Sequence, residues 1–327
     1  MFKYKKNNIY IIIFTPLLLA FWFFTSSTTT GPDYQNYMAM IERVMKQEQL
    51  LGRIIVAKDA MFGLVTHIVS PQGKEEYYKI IFSILAIVLI HRVLLIRQIG
   101  FSFIIYFPLY IICLSPGLDY AAIRSLLGLN FIVIYLILNR LGVLFFILSM
   151  FSHLSMLPSW LFMSKPFNRI VCRYSRWLVG IVIVSGSFIV TRGLYLLPST
   201  ATYIDNEGSW LLFFRVLSLL MPVYFLSVTY SRIVCGRLDF TQRLLDLSLF
   251  LSFVSLGAIK VGIASNRMHE MACFFILIGV CSFGKKHFRN RWVLFLSGII
   301  LVVVIGSSIY RNTQSELWHL LFTLPFH

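Results

Sequence analysis

Several windows of this chain run for about 18 residues or more with almost no charge, the length a helix needs to cross about 30 Å of hydrocarbon. Trp210 to Tyr230 and Val293 to Ile309 are two of them. The apolar runs are continuous rather than alternating, which excludes a membrane β-barrel. Only 13% of the 327 residues are charged and 58% are hydrophobic, where a soluble domain is about 25% charged. The mean hydropathy is +0.80. The expected fold is all-α: a polytopic helical membrane protein forming one integral domain over residues 1–327.

A net charge of +16 would suggest nucleic acid in a soluble protein. Here the basic residues lie in short loops between spans, where they set topology and meet anionic lipid headgroups. Nucleic acid is therefore not an expected partner, and membrane lipids are. The five cysteines (Cys113, Cys172, Cys235, Cys273, Cys281) are scattered, without metal-ligand spacing. They read as small apolar residues of spans and their edges.

Three lysines precede a first span at Ile9–Phe24, and no small-residue cleavage signal follows it. It reads as an uncleaved anchor with a cytoplasmic N-terminus. The segment 25–79 balances six Lys/Arg against six acids, as suits the outer face. Two amphipathic helices are expected in it, Tyr34–Leu51 and Arg53–Val69, the second lying in the interface or dipping into the outer leaflet.

Further spans are expected at about Ile80–Ile96, Phe101–Leu114, Arg124 to Asn139, Leu178–Thr191, Trp210–Tyr230, Leu244–Val261, Met271–Phe283 and Val293–Ile309, about ten in all. Arg92, Arg97 and the cluster Lys285, Lys286, Arg289 and Arg291 read as topology determinants on the inside. Arg140 and the basic stretch Lys165–Arg176 both look internal, yet one crossing separates them. The intervening Leu141–Met163 is interrupted at Ser152-His153-Leu154-Ser155 and Pro158. A re-entrant hairpin broken at His153 would keep both loops inside. The alternative is a single span, with Lys165–Arg176 outside serving an anionic ligand.

On the hairpin topology five polar residues share the outer side or lead to it: Asp33, Arg124, His153, Arg267 and Glu270, with His269 beside the last two. A charge near the bilayer centre costs roughly 2.5–3.5 kcal/mol on the insertion scale, so such residues face the bundle interior and have a use. Each also has a plain structural role open to it. Asp33 can cap the helix at Tyr34, and Arg124 can snorkel to headgroups. His153 can be held by Ser152 and Ser155, and Arg267–Glu270 is an ordinary i,i+3 pair.

Four stretches resemble motifs of one family. Gly31-Pro32-Asp33-Tyr34-Gln35-Asn36-Tyr37 is similar to its G-x-D-Y-x-x-Y element, and Ile123-Arg124 to a span opening. Phe151-Ser152-His153-Leu154-Ser155 resembles its F-H-x-S element, with one extra serine. Asn266-Arg267-Met268 resembles a late R-(I/M) opening. In that order they resemble the EpsG-like, Wzy-type polymerases of capsule, exopolysaccharide and O-antigen assembly. Where relatives often carry Glu in the first loop, this chain has Asp59.

The resemblance implies a GT-C-like membrane glycosyltransferase in the bacterial cytoplasmic (inner) membrane. It would join undecaprenyl-diphosphate-linked repeat units at the outer leaflet, alongside a chain-length regulator and a flippase. Arg124 and Arg267 would bind the diphosphate, since guanidinium forms charge-assisted bonds to phosphate oxygens. His153 or Asp33 would take the proton from the attacking sugar hydroxyl, with Glu270 as positioner or alternative base. No cofactor or metal is implied. A membrane acyltransferase of surface glycans, and a flippase or transporter of lipid-linked oligosaccharides, are the competing readings.

Overall fold

The computed structural model describes residues 2–27, 34–57, 59–69, 76–118, 123–138, 142–194, 210–234, 239–283 and 290–314. These residues are helical apart from short turns, without a strand among them. Among the described residues four helical stretches are long and apolar enough to cross a membrane: Phe82–Cys113, Arg176–Gly193, Trp210–Ile233 and Arg291–Thr313. This is the architecture of a helical membrane protein in its coarse form. By packing, the chain falls into two compact units, Met1–Leu157 with Tyr310–His327, and Pro158–Ile309.

The first unit holds α1 (Phe2–Ser27), α2 (Tyr34–Met45), α3 (Leu50–Ala57), α4 (Ala60–Val69), α5 (Glu76–Ile99), α6 (Phe103–Cys113), α7 (Ser115–Leu118), α8 (Ile123–Leu138) and α9 (Gly142–Ser152). The stretch Phe82–Cys113 is not one rod. Arg92 Nη2 donates to the Tyr110 hydroxyl at 3.2 Å, whereas residues 18 apart on a straight helix lie about 27 Å apart. The chain reverses at Gly100, whose φ of 59° is a backbone conformation that costs glycine nothing.

Arg92, expected as a topology determinant on the inside, is enclosed by protein. It is buried, with its guanidinium 5.0 Å from the ring centroids of both Phe21 and Tyr110. Cation–π contact and one hydroxyl acceptor compensate the desolvated charge there. Its neighbour His91 is buried as well.

The first loop also differs from expectation. Its second amphipathic helix is divided into α3 and α4, with Asp59 in the break. The loop does not simply lie on the surface. Ile41 and Val44 of α2, Ala57 of α3, and Phe62 and Val65 of α4 join Ile80 and Ile84 of α5 and Leu127, Phe131 and Ile134 of α8 in one buried apolar cluster. Burial of these side chains at about 1.5–3 kcal/mol each fixes the break against the head of α8.

The second unit holds α10 (Leu157–Met163), α11 (Lys165–Arg173), α12 (Arg176–Leu194), α13 (Trp210–Ile233), α14 (Phe240–Gly257), α15 (Gly262–Cys281) and most of α16 (Arg291–Gln314). The expected loop Lys165–Arg176 contains α11, started by Ser164, whose Oγ accepts from Phe167 N at 3.4 Å. Asp239 caps α14 in the same way, its Oδ1 accepting from Gln242 N at 2.7 Å. Both ends obey the N-cap rule that a short polar side chain satisfies an orphan N–H.

α14 and α15 are the innermost helices of this unit, although they carry its polar residues. Gln242, Asp246, Ser248, Ser252 and Ser255 of α14, and Ser265 and His269 of α15, are all buried. Ser255 Oγ donates to Ser265 O at 2.8 Å, and Ser248 Oγ to Ala272 O at 2.9 Å. A helix sheathed by protein can be polar because its neighbours supply the partners that lipid cannot. α12, by contrast, exposes Val182, Ile189 and Val190.

Candidate functional site

Residues from α2, α3, α8 and the α3–α4 break converge at Arg124. Arg124 Nη1 forms an ion pair with Asp59 Oδ2 and also donates to Ala57 O at 3.5 Å. The guanidinium carbon lies 5.6 Å from the Tyr37 ring centroid, and that ring packs against Phe62 at 6.4 Å. Tyr37 is the closing residue of the Gly31–Tyr37 element, so two of the motif stretches meet at one cation.

The Arg124 side chain keeps 26% of its surface accessible while that of Asp59 keeps 5%. The cation is thus the reachable member of the pair and the carboxylate stands behind it. Burial pushes the Asp59 carboxyl above its ordinary range, and Arg124 beside it pulls the other way without cancelling that rise. A carboxylate made more basic by burial is a better proton acceptor than a solvated one.

His153 sits at a helix break, as expected: α9 ends at Ser152 and a 3-10 turn runs Leu154–Met156 before α10. Its Nδ1 accepts from Ser155 N at 3.1 Å, so in the neutral ring Nε2 carries the proton. The helices on either side are too short to cross a bilayer. A Cβ on Gly128 would lie 2.5 Å from Met156 Cγ and 3.4 Å from Ser152 Cβ, so only glycine lets the break approach α8 this closely. Gly128 is four residues after Arg124, one turn along the same face. The break is thereby held within about 6 Å, measured along the α8 axis, of the arginine's level.

In the second unit Arg267 Nη1 lies 3.5 Å from Glu270 Oε2, an i,i+3 pair. α15 begins at Gly262, ahead of the expected start at Met271. The stretch Ser265–Glu270 is therefore part of the helix rather than a loop before it. Beside this pair lies a cluster the sequence reading missed. Arg215 Nη1 donates to Asn266 Oδ1 at 3.4 Å, and its Nε donates to Ser307 Oγ at 3.0 Å. Ser307 Oγ is also 2.9 Å from His269 Nε2. Since guanidinium only donates, Ser307 accepts from Arg215 and its own proton can go to the imidazole. The available signal was an arginine inside the apolar run Trp210–Tyr230, an expensive placement.

Of the expected site residues, Arg124 is on α8 and His153 is in the break that packs against Gly128 of that helix, while Arg267 and Glu270 share one turn of α15. These pairs belong to different units. Asp33 lies outside the described residues. Asp59, quoted at first only as a departure from the family pattern, is the partner of Arg124. Among the described residues no group of three or more His, Cys, Asp or Glu could hold a metal ion. No family model, curated protein or solved structure matches this chain.

Proposed function

We propose that this protein is a membrane glycosyltransferase that polymerises undecaprenyl-diphosphate-linked oligosaccharide repeat units into a surface polysaccharide. The observation that carries the reading is the Arg124–Asp59 pair, with an accessible cation in front of a buried carboxylate, and with the Ser152–Met156 break that contains His153 packed against Gly128, one turn along α8. In the reaction an acceptor hydroxyl attacks the anomeric carbon of the donor sugar. The new C–O bond forms as the bond from that carbon to the diphosphate oxygen breaks, and the hydroxyl proton passes to a base.

Arg124 neutralises the leaving diphosphate, and its attraction grows as charge develops there. Asp59 takes the proton, and His153, whose Nδ1 lone pair is held by Ser155 N, offers Nε2–H to a substrate oxygen. Arg267, with Arg215 nearby in sequence-distant α13, forms the cationic cluster of the other unit, and Glu270 positions Arg267. In this reading the protein is a GT-C-like bundle of about ten spans in the bacterial inner membrane. Its N-terminus is cytoplasmic, its chemistry lies at the outer leaflet, and a flippase and a chain-length regulator act beside it.

The test is glycan length in a deletion strain complemented with wild type, Arg124→Ala, Asp59→Asn, His153→Ala or Arg267→Ala, with membrane expression checked. Loss of long chains, with single repeat units still reaching the outer leaflet, supports the polymerase. Normal length lacking an acyl group would replace it with an acyltransferase. Units trapped on the inner leaflet would replace it with a flippase.

A further inference from the structure

At one end of the second unit α13 and α16 are joined, because Arg215 Nε donates to Ser307 Oγ at 3.0 Å. About 25 Å further along α13, at Arg232, the same two helices stand apart around an open groove of about 740 Å³. Phe225, Thr229 and Arg232 of α13 line one wall, and Trp292 and Phe295 of α16 line the other, with Asn290 at its head. The groove is graded. Its apolar part is made of exposed aromatic rings, and its polar part gathers at the end where α13 stops and α16 starts.

The polar end suits a phosphate. Arg232 forms no ion pair among the described residues. Asn290 Oδ1 accepts from Trp292 N at 3.0 Å and Val293 N at 3.3 Å, so its amide NH₂ remains as a donor. The positive end of the α16 dipole and Arg291, the first residue of α16, add to the same field. The apolar end suits a hydrocarbon chain: Phe225 and Phe295 are half exposed on helices long enough to span a membrane. Trp292 at the helix start has the placement of an interfacial anchor.

We propose that this groove binds one anionic glycerophospholipid from the leaflet facing this end of the unit. The phosphate lies on Arg232 and Asn290, and an acyl chain lies along Phe225 and Phe295. A basic pocket between spans, with an apolar continuation, is the chemistry by which such lipids are held. The site does not depend on the polymerase reading, since none of its residues belongs to the Arg124 or Arg267 clusters.

The test uses the full chain purified in detergent and titrated with phosphatidylglycerol, with phosphatidylcholine of the same acyl chains, or with glycerol phosphate. Bound lipid is counted by native mass spectrometry and thermal unfolding is recorded in parallel. One phosphatidylglycerol is expected to be retained in preference to phosphatidylcholine and to raise the unfolding temperature. Arg232→Ala with Asn290→Ala is expected to weaken that binding at least tenfold. A second variant, Phe295→Trp, fills the apolar groove with Arg232 intact and is expected to lose the lipid too. Equal binding of both lipids, unchanged binding in both variants, or equal stabilisation by glycerol phosphate alone would overturn the proposal.

Discussion

Arg176 and Asp246 form a two-point ion pair, Nε to Oδ1 at 2.8 Å and Nη2 to Oδ2 at 3.3 Å. The pair joins the first residue of α12 to the second turn of α14. Ser227 Oγ and Gln242 Nε2 also donate to Asp246 Oδ1, at 2.6 and 2.9 Å, and Arg176 Nη2 reaches Ser231 Oγ at 3.3 Å. The start of α12, the end of α13 and the start of α14 are thereby gathered at one end of their unit. The end of the basic stretch Lys165–Arg176 therefore meets Ser231, and Thr241 Oγ1, 2.8 Å from Ser282 Oγ, brings the end of α15 there too.

Removing one member of this pair leaves the other charge buried and unpaired. Asp246→Ala is expected to cost about 3–5 kcal/mol. Replacing Arg176 and Asp246 together by leucine is expected to recover most of that loss. Thermal unfolding of the purified variants in detergent measures both, and an Asp246→Ala variant as stable as wild type would show that the pair does not hold the unit together.

The Arg124–Asp59 pair has a pH signature whose sign follows from its carboxyl. The folded-state value of Asp59 is raised by burial above the ordinary 3.8, and Arg124 lowers it in part. Protonation thus favours the folded chain, and the stability contributed by the protonated group is lost as pH rises through the folded value. The attraction of Arg124 exists only once Asp59 is ionised. Arg124→Gln is therefore expected to cost little at pH 4 and progressively more towards pH 8. Unfolding temperatures of both proteins across that range check it, and a deficit independent of pH would mean that the two groups are not coupled.

The long apolar helices were legible because lipid-facing spans must be hydrophobic over their whole length: Trp210–Tyr230 and Val293–Ile309 fall inside α13 and α16. The break at His153 was legible from its serines and Pro158. The partner of Arg124 was not, because Asp59 lies 65 positions away and looked like part of a continuous amphipathic helix. Its position depends on Phe62 and Val65 packing beside Leu127 and Phe131, a tertiary preference that overrides local periodicity. The burial of Arg92 was not legible for a related reason. A basic residue near a span end snorkels only if its neighbours leave a path to water, and Phe21 and Tyr110 close it.

Gly128 offers a steric test of the site's assembly. An alanine there would drive its Cβ to 2.5 Å from Met156 Cγ and 2.8 Å from Met156 Sδ, and Met156 is fully buried. Overpacking of this kind costs about 1–3 kcal/mol. Gly128→Ala is expected to lower the unfolding temperature by displacing the His153 break from α8 and, in the proposed polymerase, to shorten the glycan. Met156→Ala in the same chain is expected to restore part of both, because it removes the obstructing atoms. Additive effects of the two substitutions would show that the contact is not what limits the approach.

Ser307 links Arg215 to His269, so the three act as one network rather than as separate contacts. Ser307→Ala removes one acceptor of Arg215 and one partner of His269 Nε2 together, and losing such buried bonds costs about 1–3 kcal/mol. Arg215→Gln removes the shared cation. If the hydroxyl connects them, the double variant loses less stability than the two single losses combined, by about 0.5–3 kcal/mol. The same set separates folding from function. In the proposed polymerase Arg215→Gln shortens the glycan even where the protein is fully expressed. Ser307→Ala, which leaves the cation in place, acts mainly on unfolding temperature. Glycan length unchanged in Arg215→Gln would make the arginine a purely structural strut between α13 and α16.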